Sequence, residues 1–341
     1  MDKAVRLKPT LPEDLLYRVF TVRCLAVCKA WQQCLDPRAL PVELCEVLQE
    51  LSFSGSASVL GNLVRIVPCC VGQLRHLELA ITKGNASFDA RALGSLSALE
   101  QLELSRWHTV KFERGRALMP RLTKLKIGQA GGSVELDAVF PNLQRMTLVD
   151  SGDVWMNGDR LHLPRLSVLV LNHVPGTAQI DFARIPALEH LAVIAVGDLA
   201  ETGISSLSRL VALSIGYNSG ASLTVINRIL SAAATSLRKL LEYSYFPPAK
   251  PSLGALTQLT TIQSVRLSII LQLAPLTQLQ NLQFRGLAAT DLAAEHLDVL
   301  AQLPALCRLN FTKSVPEGVA RKGRLAVLKA ILPGGCIIEQ P

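Results

Sequence analysis

Leu99-Glu100-Gln101-Leu102-Glu103-Leu104 is followed 23 residues on by Leu122-Thr123-Lys124-Leu125-Lys126-Ile127, and 21 residues later by Leu143-Gln144-Arg145-Met146-Thr147-Leu148. Each hexad is apolar at positions 1, 4 and 6 and mostly polar between them. Side chains alternate across a strand, so positions 4 and 6 point one way and positions 3 and 5 the other. Working outward, the same frame with three apolar positions begins at Leu48, Leu74, Leu99, Leu122, Leu143, Leu166, Leu188, Leu210, Leu279 and Leu306. An eleventh copy at Leu259 has Ser264 at position 6, and a twelfth, weaker candidate at Leu237 has Glu242 there. Successive starts lie 20 to 27 residues apart, and most follow a Leu-Pro or Leu-Ser/Thr lead-in. A period of this kind marks an array whose units bury their apolar faces only against one another.

The frame and its spacing resemble the leucine-rich repeat, whose strand signature is L-x-x-L-x-L within roughly 20 to 29 residues. The fold class expected is an α/β leucine-rich-repeat solenoid. It is a curved horseshoe with a concave parallel β-sheet, with helices, 3₁₀ segments or loops on its convex side and a short helical N-terminal cap. Residues 45–315 hold about 11 to 12 repeats, and residues 316–341 form a C-terminal cap. In that cap Leu325, Leu328, Ile331 and Leu332 predict a helix, and Cys336-Ile337-Ile338 a last strand. Helical spacing of apolar residues is best in the longest repeats, at 57–68, 222–234 and 290–303, with Thr290-Asp291 as the start of the last. Repeats of 20 to 23 residues have room only for a turn, a 3₁₀ segment or an extended return. The usual repeat carries Asn or Cys at position 9, where only Asn218 fits here. The other turns must satisfy their amides by backbone pairing or water.

Composition narrows the function. The 341 residues are 49% hydrophobic and 18% charged, enough for a core and too little charge for disorder. No apolar run reaches membrane-spanning length, and the first residues lack a secretory pattern, so the expected location is cytoplasmic or nuclear. The eight cysteines show no C-x-x-C spacing, which argues against a disulfide framework and against a metal site. The net charge of +8 favours acidic partners. Aromatic residues make up only 5% of the chain, too few to interleave a basic patch for nucleic acid. Phosphate-cradle, nucleophile-elbow and zinc-helix motifs are missing, and the six histidines are scattered, so no enzyme and no cofactor is expected.

Read in order, the outward positions map polarity along the array. His76, Glu78, Gln101, Glu103, Lys124, Lys126 and Arg145 make a charged first third, and Val168, Val170, His190, Ala192, Ile194 and Ala212 an apolar middle. Thr261, Gln263, Asn281, Gln283, Arg308 and Asn310 end it with polar groups. Interfaces concentrate energy in an apolar centre with a polar rim. The expected partner site therefore has Val168, Val170 and Ile194 as its floor and His190 as a contact residue. Lys124, Lys126 and Arg145 would steer an acidic or phosphorylated protein segment. A merely β-branched sheet surface is the plain alternative.

Residues 10–35 do not follow the repeat. Thr10-Leu11-Pro12-Glu13 has the form of a capping box, with Pro in the first turn. Leu11, Leu15, Leu16, Val19 and Phe20 then line one helical face, and Leu25, Val27, Cys28 and Trp31 a second short one. Leu11-Pro12-Glu13-Asp14-Leu15-Leu16-Tyr17-Arg18-Val19-Phe20 and Val27-Cys28-Lys29-Ala30-Trp31 resemble the opening and closing motifs of the F-box family, with a shortened span between them. That resemblance implies docking on a Skp-type adaptor through Leu11, Pro12, Leu15, Leu16, Val19, Phe20, Val27, Cys28 and Trp31. It also implies selection of a protein target by the repeats, as the substrate-recognition subunit of an SCF-type cullin-RING ubiquitin ligase. The alternative is a scaffold or structural repeat protein, cytoskeletal or ciliary, whose N-terminus only caps the array.

Overall fold

The computed structural model describes residues 50–56, 73–93, 96–112, 119–216, 223–242, 253–313 and 319–339. The F-box-like segment, the 57–68 stretch and Asn218 lie outside them. The chain divides into two compact units, Met1–Leu166 and Ser167–Pro341.

In the first unit, the copies at Leu48, Leu74, Leu99, Leu122 and Leu143 supply strands β1 (Glu50–Ser56), β2 (His76–Lys83), β4 (Gln101–Ser105), β6 (Lys124–Gly128) and β8 (Arg145–Val149). Each begins two residues after its leading Leu, and neighbours pair in parallel. Burial alternates along β4, with Leu102 and Leu104 inside and Gln101, Glu103 and Ser105 facing out. The return paths are also extended. β3 (Ser87–Asp89), β5 (Thr109–Phe112), β7 (Ser133–Leu136) and β9 (Asp153–Met156) form a second parallel ladder. Side chains from both ladders fill the core. Phe88, Phe112 and Phe140 are at most 1% exposed, with ring centroids 6.2 Å apart for the first pair and 5.4 Å for the second.

The second unit continues the frame with β10 (Val168–Asp181), β11 (His190–Thr202), β12 (Ala212–Ile215), β13 (Lys239–Glu242), β14 (Thr261–Ser264), β15 (Asn281–Phe284), β16 (Arg308–Phe311) and β17 (Ile337–Glu339). They pair in parallel in chain order. The copies at Leu237 and Leu259 therefore form strands in register with their neighbours despite Glu242 and Ser264. Behind them run helices α1 (Leu223–Ala232), α2 (Ala294–Ala301) and α3 (Val319–Ile331), with 3₁₀ turns at Phe182–Arg184, Ile204–Arg209, Leu267–Gln272 and Ala289–Asp291. The expected terminal helix and strand are α3 and β17. The start of α2 is corrected: Thr290 and Asp291 lie in a separate 3₁₀ turn, where the Asp291 carboxylate accepts from the Ala288 N–H at 2.8 Å. Leu292 then becomes extended, and α2 begins after Ala293, whose N–H donates to His296 Nδ1 at 3.0 Å.

Three backbone devices repeat. The lead-in closes a turn in which the leading Leu N–H donates three residues back, as in Leu122 to Met119 (2.9 Å) and Leu279 to Leu276 (3.0 Å). Pro120 sits where such a turn favours proline, just after its first residue. The carbonyl of position 2 accepts two N–H groups from the next copy; Glu100, for example, receives those of Thr123 and Lys124. At position 8 the backbone takes positive φ: at Arg106, Gln129 and Asp150, directly after β4, β6 and β8, at His173 and Ala195, inside the long strands β10 and β11, and at Gly286 later. Position 9 then turns inward, and Trp107, Ala130, Ser151, Val174 and Val196 are at most 2% exposed. This explains the missing Asn. Backbone N–H groups near the turn bond across copies, as in Gly131 to Trp107 at 3.2 Å and Gly152 to Ala130 at 2.8 Å. An apolar side chain is then free to enter the core. These features make the chain a leucine-rich-repeat fold.

Candidate partner-binding face

Alternation along each strand presents positions 3, 5 and 7 outward, and parallel registry aligns them into columns. In the first unit one column runs Glu50, His76, Gln101, Lys124 and Arg145, and the next runs Ser52, Glu78, Glu103, Lys126 and Thr147. Like charges stand beside one another twice, Glu78 with Glu103 and Lys124 with Arg145. Such pairs destabilise a sheet unless something offsets them. Partial offsets exist on one side. Ser52 Oγ donates to Glu78 at 2.7 Å, and Lys126 Nζ donates to Glu103 at 2.9 Å. Lys124 and Arg145 are exposed and have no carboxylate within ion-pair distance among the described residues. His76 is half-buried, and its Nε2 has no hydrogen-bond partner among the described residues.

The steering residues expected from sequence therefore differ in status. Lys124 and Arg145 are available cations side by side, whereas Lys126 is already paired. The surface pair Lys126–Glu103 contributes little to stability, but it neutralises that ammonium.

The apolar residues expected as a floor belong to the second unit. Val168 pairs in register with His190, and Val170 with Ala192. Val168 and Val170 are half-buried and His190 is exposed. Ile194 is half-buried because it leans over Gly216: a Cβ on that glycine would meet Ile194 Cγ2 at 2.5 Å. Ile194 thus fills the groove above Gly216 instead of standing clear of the sheet. The residues expected from sequence are brought together in two groups, Lys124, Lys126 and Arg145 in one unit and Val168, Val170, His190 and Ile194 in the other.

Sequence reading missed a polar cluster inside the second unit. The Glu242 carboxylate, 4% exposed, accepts from the Arg266 guanidinium and from Ser264 Oγ. Ser264 Oγ also accepts the Arg266 N–H at 3.0 Å. A buried carboxylate must be paired and hydrogen-bonded, and here the next copy supplies both groups. The signal was present: two polar residues occupy the same inward position of consecutive copies, with an arginine two residues further on.

Among the described residues no three His, Cys, Asp or Glu side chains gather as a metal site. No helix among them is long and apolar enough to cross a membrane. His296, 8% exposed, is engaged as the cap of α2.

No family model and no curated protein matches the chain. It is similar to a solved leucine-rich-repeat protein of Leptospira interrogans, with 16% identity over 90% of this chain and 97% of that one at a TM-score of 0.33. It is also similar to the functional domain of InlJ from Listeria monocytogenes, with 13% identity over 85% and 72% at a TM-score of 0.32.

Proposed function

We propose that the chain is a non-catalytic protein-binding module that engages an acidic or phosphorylated protein segment through the outward face of its repeats. The observation that carries this reading is the adjacency of Lys124 and Arg145. Two exposed cations in register cost the sheet stability, and a carboxylate or phosphate laid across them removes that cost. Val168 and Val170, half-buried, are proposed as apolar contacts on the second unit's own outward face. A guanidinium can take a phosphate or carboxylate bidentately while the ammonium adds a point charge.

The finer proposal is that the module selects targets for an SCF-type cullin-RING ubiquitin ligase in the cytoplasm or nucleus. It rests on the Leu11–Phe20 and Val27–Trp31 motifs, which lie outside the described residues. Affinity purification with mass spectrometry tests both levels. The full chain is expected to recover a Skp-type adaptor and a cullin together with a target, and Leu15→Asp to lose the adaptor and cullin only. Lys124→Glu with Arg145→Glu is expected to lose the target only. Recovery of targets without adaptor or cullin would sink the ligase reading and leave the binding face standing. Unchanged target recovery by the charge-reversed chain would sink the face.

A further inference from the structure

The terminal strand brings two cysteines into the same column of the sheet. Arg308 pairs with Ile337, Leu309 with Ile338 and Asn310 with Glu339, so Cys307, at position 2 of its copy, and Cys336 stand one step earlier, directly before β16 and β17. The Ile337 N–H donates to the Cys307 carbonyl at 2.8 Å and locks that register. Neighbouring strands lie about 4.8 Å apart, inside the roughly 4.4 to 6.8 Å between α-carbons that a disulfide spans. Side chains at position 2 of adjacent copies meet elsewhere on the same ladder type: Arg75 and Glu100 form an ion pair at 3.5 Å. The other described copies carry no cysteine at position 2, so among the described residues Cys307 and Cys336 are the one place where two thiols are neighbours in this column.

We infer that Cys307 and Cys336 form a reversible thiol–disulfide site, oxidised by a small-molecule disulfide of the glutathione class, that staples the terminal strand to the last repeat. Cys307 is exposed where Cys336 is half-buried, so it is the more accessible thiol, and its S–H donates to the Gln280 carbonyl at 3.3 Å. Its thiolate attacks the glutathione disulfide and expels one glutathione thiolate, leaving a mixed disulfide on Cys307. The Cys336 thiolate then attacks Cys307 Sγ and expels the second glutathione. Two protein thiols are oxidised, one glutathione disulfide is reduced to two thiols, and the two protons pass to those thiols. Burial and the neighbouring Cys307 push the Cys336 thiol above its usual range, which suits the second, resolving position and keeps it from reacting first. The bond would close the loop containing α3 and restrict opening of β17, whose Ile337 is 53% exposed. In a reducing compartment the site rests as two thiols and responds to a shift in glutathione poise.

The full chain is exposed to oxidised glutathione, quenched in acid with an alkylating agent and digested with trypsin. The expected product is a linked pair of peptides, 286–308 with 330–341, that dithiothreitol separates and that Cys307→Ser or Cys336→Ser abolishes. Oxidation is also expected to slow amide exchange in Ile337, Ile338 and Glu339 by at least roughly tenfold. Glutathione adducts on Cys307 and Cys336 without the linked pair would overturn the inference, as would linkage of either residue to one of the other six cysteines.

Discussion

The copies at Leu99, Leu122 and Leu143 share their strand frame with those at Leu210 and Leu279, yet they return to the next copy by different routes. The first three use strands β5, β7 and β9, with Val110 and Phe112, Val134 and Leu136, and Val154 and Met156 alternating inward. The last two use helices α1 and α2. A strand rises about 3.3 Å per residue and a helix 1.5 Å, so the four residues of β5 and the ten of α1 both cover roughly 13 to 15 Å. The helical copies need more chain for the same distance, and both are 27 residues long against 21 to 23 for the three extended ones. The strand frame fixes where a copy starts. Copy length and side-chain period choose how it returns.

A second contrast lies in the core. Among the described residues the first unit buries no charged side chain, while the second buries Glu242 with Ser264 and pairs it with the half-buried Arg266. The largest expected effect breaks this cluster. Arg266→Ala leaves the Glu242 carboxylate buried beside a single hydroxyl and is expected to cost about 3 to 5 kcal/mol. Replacing the whole cluster, with Glu242→Leu, Ser264→Ala and Arg266→Met together, is expected to be near neutral because no charge is then stranded. Chemical denaturation of the full chain measures both. If Arg266→Ala were as stable as the parent, the cluster would not hold that part of the core together.

The positions that sequence made legible are those governed by period. Every described strand of a copy begins two residues after its leading Leu, and the outward residues fall where alternation puts them. What escaped depends on neighbours more than 20 residues away. That Glu103 occupies Lys126, or that Ile194 covers Gly216, follows only once the strands are in register. Glu242 and Ser264 read as decay of the pattern within their own copies, and only the registry of β13 with β14 makes them partners. The left-handed turn was hidden for another reason: Arg106, Gln129, Asp150, His173 and Ala195 share a backbone conformation but no side-chain chemistry.

A smaller effect tests how far the first unit depends on its ring stack. Among the described residues Phe112 meets two rings, Phe88 and Phe140, whereas Phe284 in the second unit meets one, Phe311, at 5.6 Å. Each aromatic pair adds about 0.5 to 1.5 kcal/mol beyond its buried area. Phe112→Leu is therefore expected to cost about 1 to 3 kcal/mol and Phe284→Leu about half as much, measured by denaturation of the two variants side by side. Equal losses would mean that volume, not ring geometry, sets the packing of both units.

The smallest effect isolates the turn itself. Ala195 and Gly286 both occupy position 8 with positive φ, 51° and 68°, one with a Cβ and one without. A side chain in that region costs roughly 1 to 2 kcal/mol, and glycine returns about 0.5 to 1 kcal/mol of that through the entropy of the unfolded chain. A Cβ on Gly286 would meet nothing within 4 Å, so Gly286→Ala carries the conformational term without a clash. It is expected to destabilise by about 0.5 to 1 kcal/mol, and Ala195→Gly to stabilise by a similar or smaller amount. Opposite signs in the two variants would establish the left-handed turn as a cost carried by the non-glycine copies. The same sign in both would show that packing around Ala195, half-buried beside Ile194, outweighs its backbone.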